Sequence, residues 1–289
     1  MADKLHTVAE DGPHRYLIGD AVEELRNLDS SASIIYLDDA WARPQRAGQF
    51  GVTYDTHPFS ENNIDGEGNE KPETTTIDIL DACKEALIDG GWLIADADDW
   101  LLPRLINYLR KDWGDVAEDY TGGGYRRVGS VTYLTKDGYP DRSTAGMYLS
   151  NGGYPVVFAH KGETDRRTSE SSRQIVDPPF AHDGFEATER DHDTYDWGSV
   201  KPLSPYRTWV EALTDDTDGN LENEHLVVPC AGTAPAAIGA EIEFGTNLQY
   251  TCIDNNPDAF DAFSRRREAE LERHSGDLHQ NDIGLFTQE

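Results

Sequence analysis

Two apolar runs, each ending in chemically distinctive residues, constrain this chain more than any other feature. Ser33-Ile34-Ile35-Tyr36-Leu37 breaks at Asp38-Asp39-Ala40-Trp41, and far downstream Leu226-Val227-Val228 runs into Pro229-Cys230-Ala231-Gly232-Thr233-Ala234. A helix-like stretch and a third strand, Gln249-Tyr250-Thr251-Cys252-Ile253, follow the second run, and Asp254 closes it. Short uninterrupted apolar runs are typical of strands buried on both faces, so an α/β sheet with helices on either side is expected. A small-residue turn after one strand, with an acid ending the next, is how such sheets hold an adenosine moiety. An acid and an aromatic at another strand end suit a flat substrate beside it. Together the two ends imply group transfer from an adenosine-containing cofactor.

The remaining elements follow from local pattern. Residues 15–18 form a short strand. Asp20 then opens a helix in which Glu23 completes a capping box and Val22, Leu25 and Leu28 form the apolar stripe. Residues 76–88 and 100–109 read as helices, with residues 92–95 a strand between them. Between them and residue 42 lies a long turn-rich loop, 42–73. Two strands are expected around 127–134 and 154–160, and residues 164–200 show no regular pattern. Order returns with a helix at 205–213, a strand at 225–229, a helix at 235–242, a strand at 249–253 and a helix at 258–273. Asn256 caps that last helix, with Pro257 at its first position.

Charge sets the environment. The chain has 55 acidic residues against 25 lysines and arginines, a formal net charge of −30 spread along its 289 residues. That balance reads as adaptation to molar salt, where bulk charge is screened within about 3 Å. Avoidance of polyanions at low ionic strength is the bland alternative. Cys83, Cys230 and Cys252 form no close pair and no metal spacing, so reduced, buried thiols are expected. His182, Asp183, Asp191, His192 and Asp193 are too irregularly spaced to imply a metal, and none is expected. There is no basic, apolar leader and no apolar run of membrane-spanning length, which points to a soluble, cytoplasmic protein.

These residues, in this order, resemble the amino-methylating DNA methyltransferases in the permutation that puts the catalytic motif before the cofactor motif. Gly19-Asp20 and residues 22–28 resemble the family's opening turn and helix. Asp38-Asp39-Ala40-Trp41 sits where the family has Asp-Pro-Pro-Tyr, and Gly90-Gly91-Trp92-Leu93-Ile94-Ala95 is similar to the strand that follows it. The run 131–136 and Pro155-Val156-Val157-Phe158-Ala159-His160-Lys161 resemble a later strand pair, and Lys201-Pro202 falls where the family has Lys-Pro. Two departures stand out. The two prolines after the acid are replaced by Asp39 and Ala40, and the cofactor loop lacks its first acid and its last glycine. An intact Asp177-Pro178-Pro179-Phe180 lies in a polar stretch with no strand before it and is read as a turn.

The resemblance implies a class I methyltransferase-like, Rossmann-like sheet in a single domain over 1–289. Its catalytic half is 14–120, its variable, irregular target-recognition region 121–200 and its cofactor half 201–275. It further implies S-adenosyl-L-methionine as cofactor and double-stranded DNA as substrate, in a halophilic cell or its virus-infected host, with a homodimer left open. The base amine to be methylated is adenine N6 in preference to cytosine N4. Asp38 would accept hydrogen bonds from that amine and Trp41 would stack on the flipped base. Asp20, Lys201, Pro229, Ala231, Gly232, Thr233 and Asp254 are the expected cofactor contacts, although Asp20 also fits a simple helix cap. In so acidic a chain Arg43, Arg46, Arg126, Arg127, Arg166 and Arg167 are the expected DNA contacts, whereas Arg265, Arg266 and Arg267 read as the solvated face of the last helix. A degenerate methyltransferase fold that binds DNA or a partner without turnover is the alternative. Methylation of RNA or a small amine is a third reading.

Overall fold

A computed structural model describes residues 6–38, 76–97, 102–114, 123–132, 153–162, 195–198, 200–215 and 221–275. In chain order the elements are strands β1 (His6–Asp11) and β2 (His14–Ile18), helix α1 (Ala21–Asn27), strand β3 (Ala32–Asp38), helix α2 (Thr76–Ala86), strand β4 (Leu87–Asp96) and helix α3 (Leu102–Tyr108). A π-helical turn at Leu109–Trp113 extends α3. Strands β5 (Gly124–Thr132) and β6 (Gly153–His160) follow, then helix α4 (Leu203–Leu213), strand β7 (His225–Pro229), helix α5 (Pro235–Phe244), strand β8 (Gln249–Asp254) and helix α6 (Pro257–Arg273).

All eight strands join one sheet in the order β1-β2-β8-β7-β3-β4-β6-β5. The five from β2 to β4 are parallel, while β1, at one edge, and β6 run antiparallel to their neighbours. Side chains alternate between the two faces of a strand, and the core divides accordingly. Tyr16, Ile34, Tyr36, Ile94, Val228 and Cys252 point to the side packed by α4, α5 and α6. Leu17, Ile35, Leu37, Leu93, Ala95, Val227 and Ile253 point to the side packed by α1, α2 and α3. Every residue of β7 is buried, as a strand covered on both faces requires.

The pairing of β3 with β7 positions the site. From β7 the chain crosses through α5 to β8 on one side; from β3 it passes through α2 to β4 on the other. The carboxyl ends of these two neighbours therefore flank the point where the winding reverses, where open α/β sheets leave a crevice for ligands.

Sequence expectation and structure differ at a few places with clear causes. The helix expected over 76–88 stops at Ala86, because Leu87 already pairs with Ala32 of β3. That pairing is irregular: Trp92 is next, opposite Ile34, and the intervening residues pack tightly enough that a Cβ at Gly91 would lie 3.1 Å from the Ser33 carbonyl oxygen. The polar strand β1 carries no apolar alternation and was not expected; it pairs with β2 across a two-residue turn. The strands expected around 127–134 and 154–160 form a hairpin at the sheet's other edge, so the interval 121–200 contributes to the sheet as well as to whatever lies between.

Trp209 of α4 is fully buried, edge-on to the rings of Phe158 and Tyr206. Trp209→Ala removes a large side chain from a close-packed face and is expected to cost about 3–5 kcal/mol, read as a lowered midpoint in urea unfolding at fixed salt.

Candidate active site

Three acids, Asp38, Asp96 and Asp254, close the parallel strands β3, β4 and β8. Each lies two residues beyond a side chain on the α4–α6 face (Tyr36, Ile94 and Cys252), so the pleat sends all three to that same face. Asp38 and Asp96 also stand directly opposite each other in the β3–β4 register.

Lys201, in the segment leading into α4, bridges them. Its Nζ lies 3.1 Å from Asp38 Oδ1 and 3.2 Å from Asp96 Oδ2 and sits over the Tyr154 ring, 4.4 Å from its centroid. Asp96 is fully buried. It accepts a hydrogen bond from Tyr36 Oη at 2.7 Å, and Tyr206 Oη lies 2.8 and 2.7 Å from its two oxygens. Tyr206 has a single phenolic proton, already given to Asp96. Tyr154 is therefore the donor in the 2.6 Å contact between the Tyr154 and Tyr206 hydroxyls. Burial pushes the Asp96 carboxyl up to about 6, while Lys201 and the two phenols pull it back. Burial likewise raises the Tyr36 and Tyr206 phenols well above their usual range, with the Asp96 charge adding to it. The cluster is thus a lysine held between a carboxylate facing the crevice and a deeply buried one.

The second half of the site is the turn between β7 and α5. Cys230, Gly232 and Ala234 all have positive φ (56°, 49° and 42°), an unfavourable run for two residues that carry a Cβ. Several contacts hold it. Gly232 N–H donates to Asp254 Oδ2 at 2.8 Å, Ala231 N–H to the Ile253 carbonyl at 2.9 Å, and Tyr16 Oη to the Gly232 carbonyl at 3.1 Å. Glycine is required at 232, since a Cβ there would lie 2.9 Å from the Trp197 indole nitrogen. Asp254 accepts a second bond from Asn256 N–H at 2.9 Å, which leaves each carboxylate oxygen with further acceptor capacity. Burial raises its pKa, offset in part by those backbone bonds. Pro235 opens α5 directly after the turn, and no side chain caps that end.

Arg266 ties the two halves together. It is 1% exposed, and its Nη1 donates to Thr233 Oγ1 at 2.8 Å while Nη2 donates to the Lys201 carbonyl at 2.7 Å. The expectation of a solvated arginine face on α6 is corrected for Arg266, while Arg265 is exposed and Arg267 half-buried. Arg265 donates to the Tyr195 carbonyl, and Arg267 pairs with Glu241 and Asp11. A run of arginines on a helix reads as surface only until the helix is known to pack against a loop rich in carbonyl acceptors.

The other expected site residues are placed as follows. Pro229 ends β7, and Ala231 and Thr233 are buried within the turn. Asp20 caps α1 by accepting from the backbone of Val22 and Glu23, so the helix-cap reading describes its carboxylate. Lys201, expected among the cofactor contacts, has its ammonium between Asp38 and Asp96. Arg126 and Arg127, expected as DNA contacts, lie on β5 at one edge of the sheet, near the end where Gly124 and Trp92 flank His160. Arg126 is engaged there with His160, whose pKa burial and then the guanidinium depress to about 4. Cys83 and Cys252 are buried thiols, whereas Cys230 is half-buried in the turn. Trp41, Arg43, Arg46, Arg166, Arg167 and residues 177–180 lie outside the described residues. Asp96 was missed, although the signal was present: like Asp38 and Asp254, it directly follows an apolar strand run.

No family model matches the chain, and no curated relative does. Solved structures do share its architecture. M1.HpyAVI in complex with SAM superposes with a TM-score of 0.55 at 9% identity, over 88% of this chain and 99% of that one. The cytosine-N4-specific PvuII DNA methyltransferase superposes with a TM-score of 0.54 at 11% identity, over 92% of this chain and 93% of that one. The fold is that of the DNA methyltransferases. On that fold, the eight-stranded sheet carries Asp38 and the 230–234 turn at the reversal point. Among the described residues no group of three or more His, Cys, Asp or Glu side chains is arranged to hold a metal, and no helix is long and apolar enough to cross a membrane.

Arg266→Ala leaves Thr233 Oγ1 and the Lys201 carbonyl without their donor in a buried site and opens a cavity. The expected loss is about 2–5 kcal/mol, measured by denaturant unfolding. Arg266→Lys is expected to recover only part of it, because one ammonium on a flexible stem does not reproduce the planar two-pronged contact.

Proposed function

We propose that this protein is an S-adenosylmethionine-dependent DNA methyltransferase acting on an exocyclic base amine, with adenine N6 favoured over cytosine N4. The observation that carries this reading is the convergence of Asp38 with the strained 230–234 turn and Asp254 at the carboxyl ends of β3, β7 and β8, on a methyltransferase fold.

The turn and its flanks fit an adenosine-containing cofactor. Asp254 keeps acceptor capacity suited to ribose hydroxyls, backbone at Ala231, Gly232 and Thr233 allows close approach, and the uncapped start of α5 favours negative charge. When bound, S-adenosylmethionine supplies an electrophilic methyl group. The chain's own work is on the base. An exocyclic amine is a weak nucleophile because its lone pair is delocalised into the ring. Asp38 is one-fifth exposed, with the Lys201 ammonium on its Oδ1, and would accept a hydrogen bond from the amine and favour a pyramidal nitrogen. Trp41 would stack on the flipped base. Arg43, Arg46, Arg166 and Arg167 would meet DNA, and Arg127 would do so only on a duplex that reaches the far edge of β5. A net charge of −30 makes counterion release a weak source of affinity, so base contacts and shape carry more of it. An acid, rather than serine, at the head of the motif is what favours adenine.

The departures in sequence motivate a second reading, a non-catalytic binder built on the same fold. Asp39 does not fix φ as proline does, and the loop lacks the acid and glycine the family carries there. Failure to bind S-adenosylmethionine in high salt would favour it.

The test is transfer of labelled methyl groups from S-adenosylmethionine to unmethylated duplex DNA in molar KCl, followed by nucleoside analysis. N6-methyladenine is expected. Asp38→Ala should lower transfer by about 10²-fold or more while leaving cofactor affinity, measured calorimetrically, nearly unchanged. Normal turnover in that variant would show that Asp38 is not the acceptor.

A further inference from the structure

We propose that Asp96 is a positioning residue that, through Lys201, sets how much positive charge Asp38 feels and so makes the acceptor end of the site proton-sensitive. This rests on the reading of Asp38 as the acceptor of the base amine. The geometry is that of one cation shared by two carboxylates. Lys201 Nζ is nearly equidistant from Asp38 and Asp96, at 3.1 and 3.2 Å, and its own side chain is only 8% exposed. With Asp96 ionised the trio carries one net negative charge, and Asp38 keeps the character of a hydrogen-bond acceptor. With Asp96 protonated, the ammonium loses one of its charged partners. More of its charge then falls on Asp38, which becomes a poorer acceptor for the amine.

The groups facing Asp96 come from every element packed around it. Tyr36 and Asp38 face it from β3, Lys201 from the segment before α4, and Tyr206 from α4, with Tyr154 of β6 behind Tyr206. Two phenol donors and one ammonium keep a buried carboxylate ionised near neutrality, yet burial holds it close enough to titration to respond, at about 6. The sign follows. Acidification through that point protonates Asp96 and weakens Asp38 as acceptor; alkalinisation restores it. The phenols stabilise the charged form, so removing one should move the transition to higher pH.

Lysine is scarce enough to report on this directly, with seven in the whole chain. The experiment follows the side-chain resonances of isotope-labelled lysines against pH in the protein alone, without DNA or cofactor. The Lys201 signal is identified by its loss in Lys201→Met. In the wild type it is expected to inflect as Asp96 titrates, near pH 6. The inflection should disappear in Asp96→Asn and move upward in Tyr206→Phe, which keeps the ring and so preserves packing if the Asn variant fails to fold. A Lys201 signal with no inflection in that region, or one whose midpoint is the same in wild type and Tyr206→Phe, overturns the proposal. Because nothing in this measurement requires turnover, it stands apart from the test of methyl transfer. In the active enzyme the same group should appear as an acid limb in kcat that levels off at a lower rate below the midpoint, shifted upward in Tyr206→Phe with little change in KM for S-adenosylmethionine.

Discussion

The parallel pairing of β3 with β7 is the constraint from which the rest of the site follows. Ile34 and Ile35 lie opposite Leu226 and Val227, joining segments that are far apart in the chain. A parallel neighbour cannot be reached by a tight turn, so each strand must continue into a crossover. Here the two crossovers diverge, through α2 and α5, and leave the strand ends open. Everything chemically distinctive in the described structure then gathers at one rim: Asp38 and Asp96 in register on one side of the reversal, the 230–234 turn and Asp254 on the other. The hydrophobic effect holds the strands in place, since β3 and β7 are buried almost throughout. The polar ends lie there because the pleat leaves them no other side to face.

Such a rim is costly to build. A buried carboxylate, a buried lysine and a nearly inaccessible arginine all lose hydration, and each is offset by partners within the fold. Asp96 has two phenols and an ammonium; Lys201 has two carboxylates and an aromatic face; Arg266 has a hydroxyl and a carbonyl. These contacts interlock. The residue whose side chain bridges the acids also offers its carbonyl to the arginine that bonds Thr233 in the 230–234 turn. The two sides of the crevice are therefore linked through Lys201 and Arg266 as well as through the sheet.

Much of this was legible in the sequence. The apolar runs of β3, β7 and β8, the caps at Asp20 and Asn256 and the proline starts of α5 and α6 all register in local pattern, because burial on both faces and orphan helix donors each demand particular residues in place. Asp38 and Asp254 were legible for the same reason: they terminate those runs. β1 was not, since His6–Asp11 is polar and exists only because β2 offers an open edge. Nor was the early start of β4, where helix-compatible residues are drawn into register with Ala32.

What the sequence by itself determined is most of the elements, their order and several of the residues at their ends, since these depend on spacing over a few positions. What only the tertiary structure decided is which ends meet. Lys201 could hold a cofactor, a loop or an acid until α4 packed on the sheet and carried its ammonium between Asp38 and Asp96. Arg266 could face water until α6 settled against the turn at Thr233. Arg126 had no evident partner in the sequence until the register of β5 with β6 brought it against His160. Charge and hydrogen-bonding capacity belong to the residue, but partnership is set by which surfaces exclude water from one another, and that is fixed only when the helices close over both faces of the sheet.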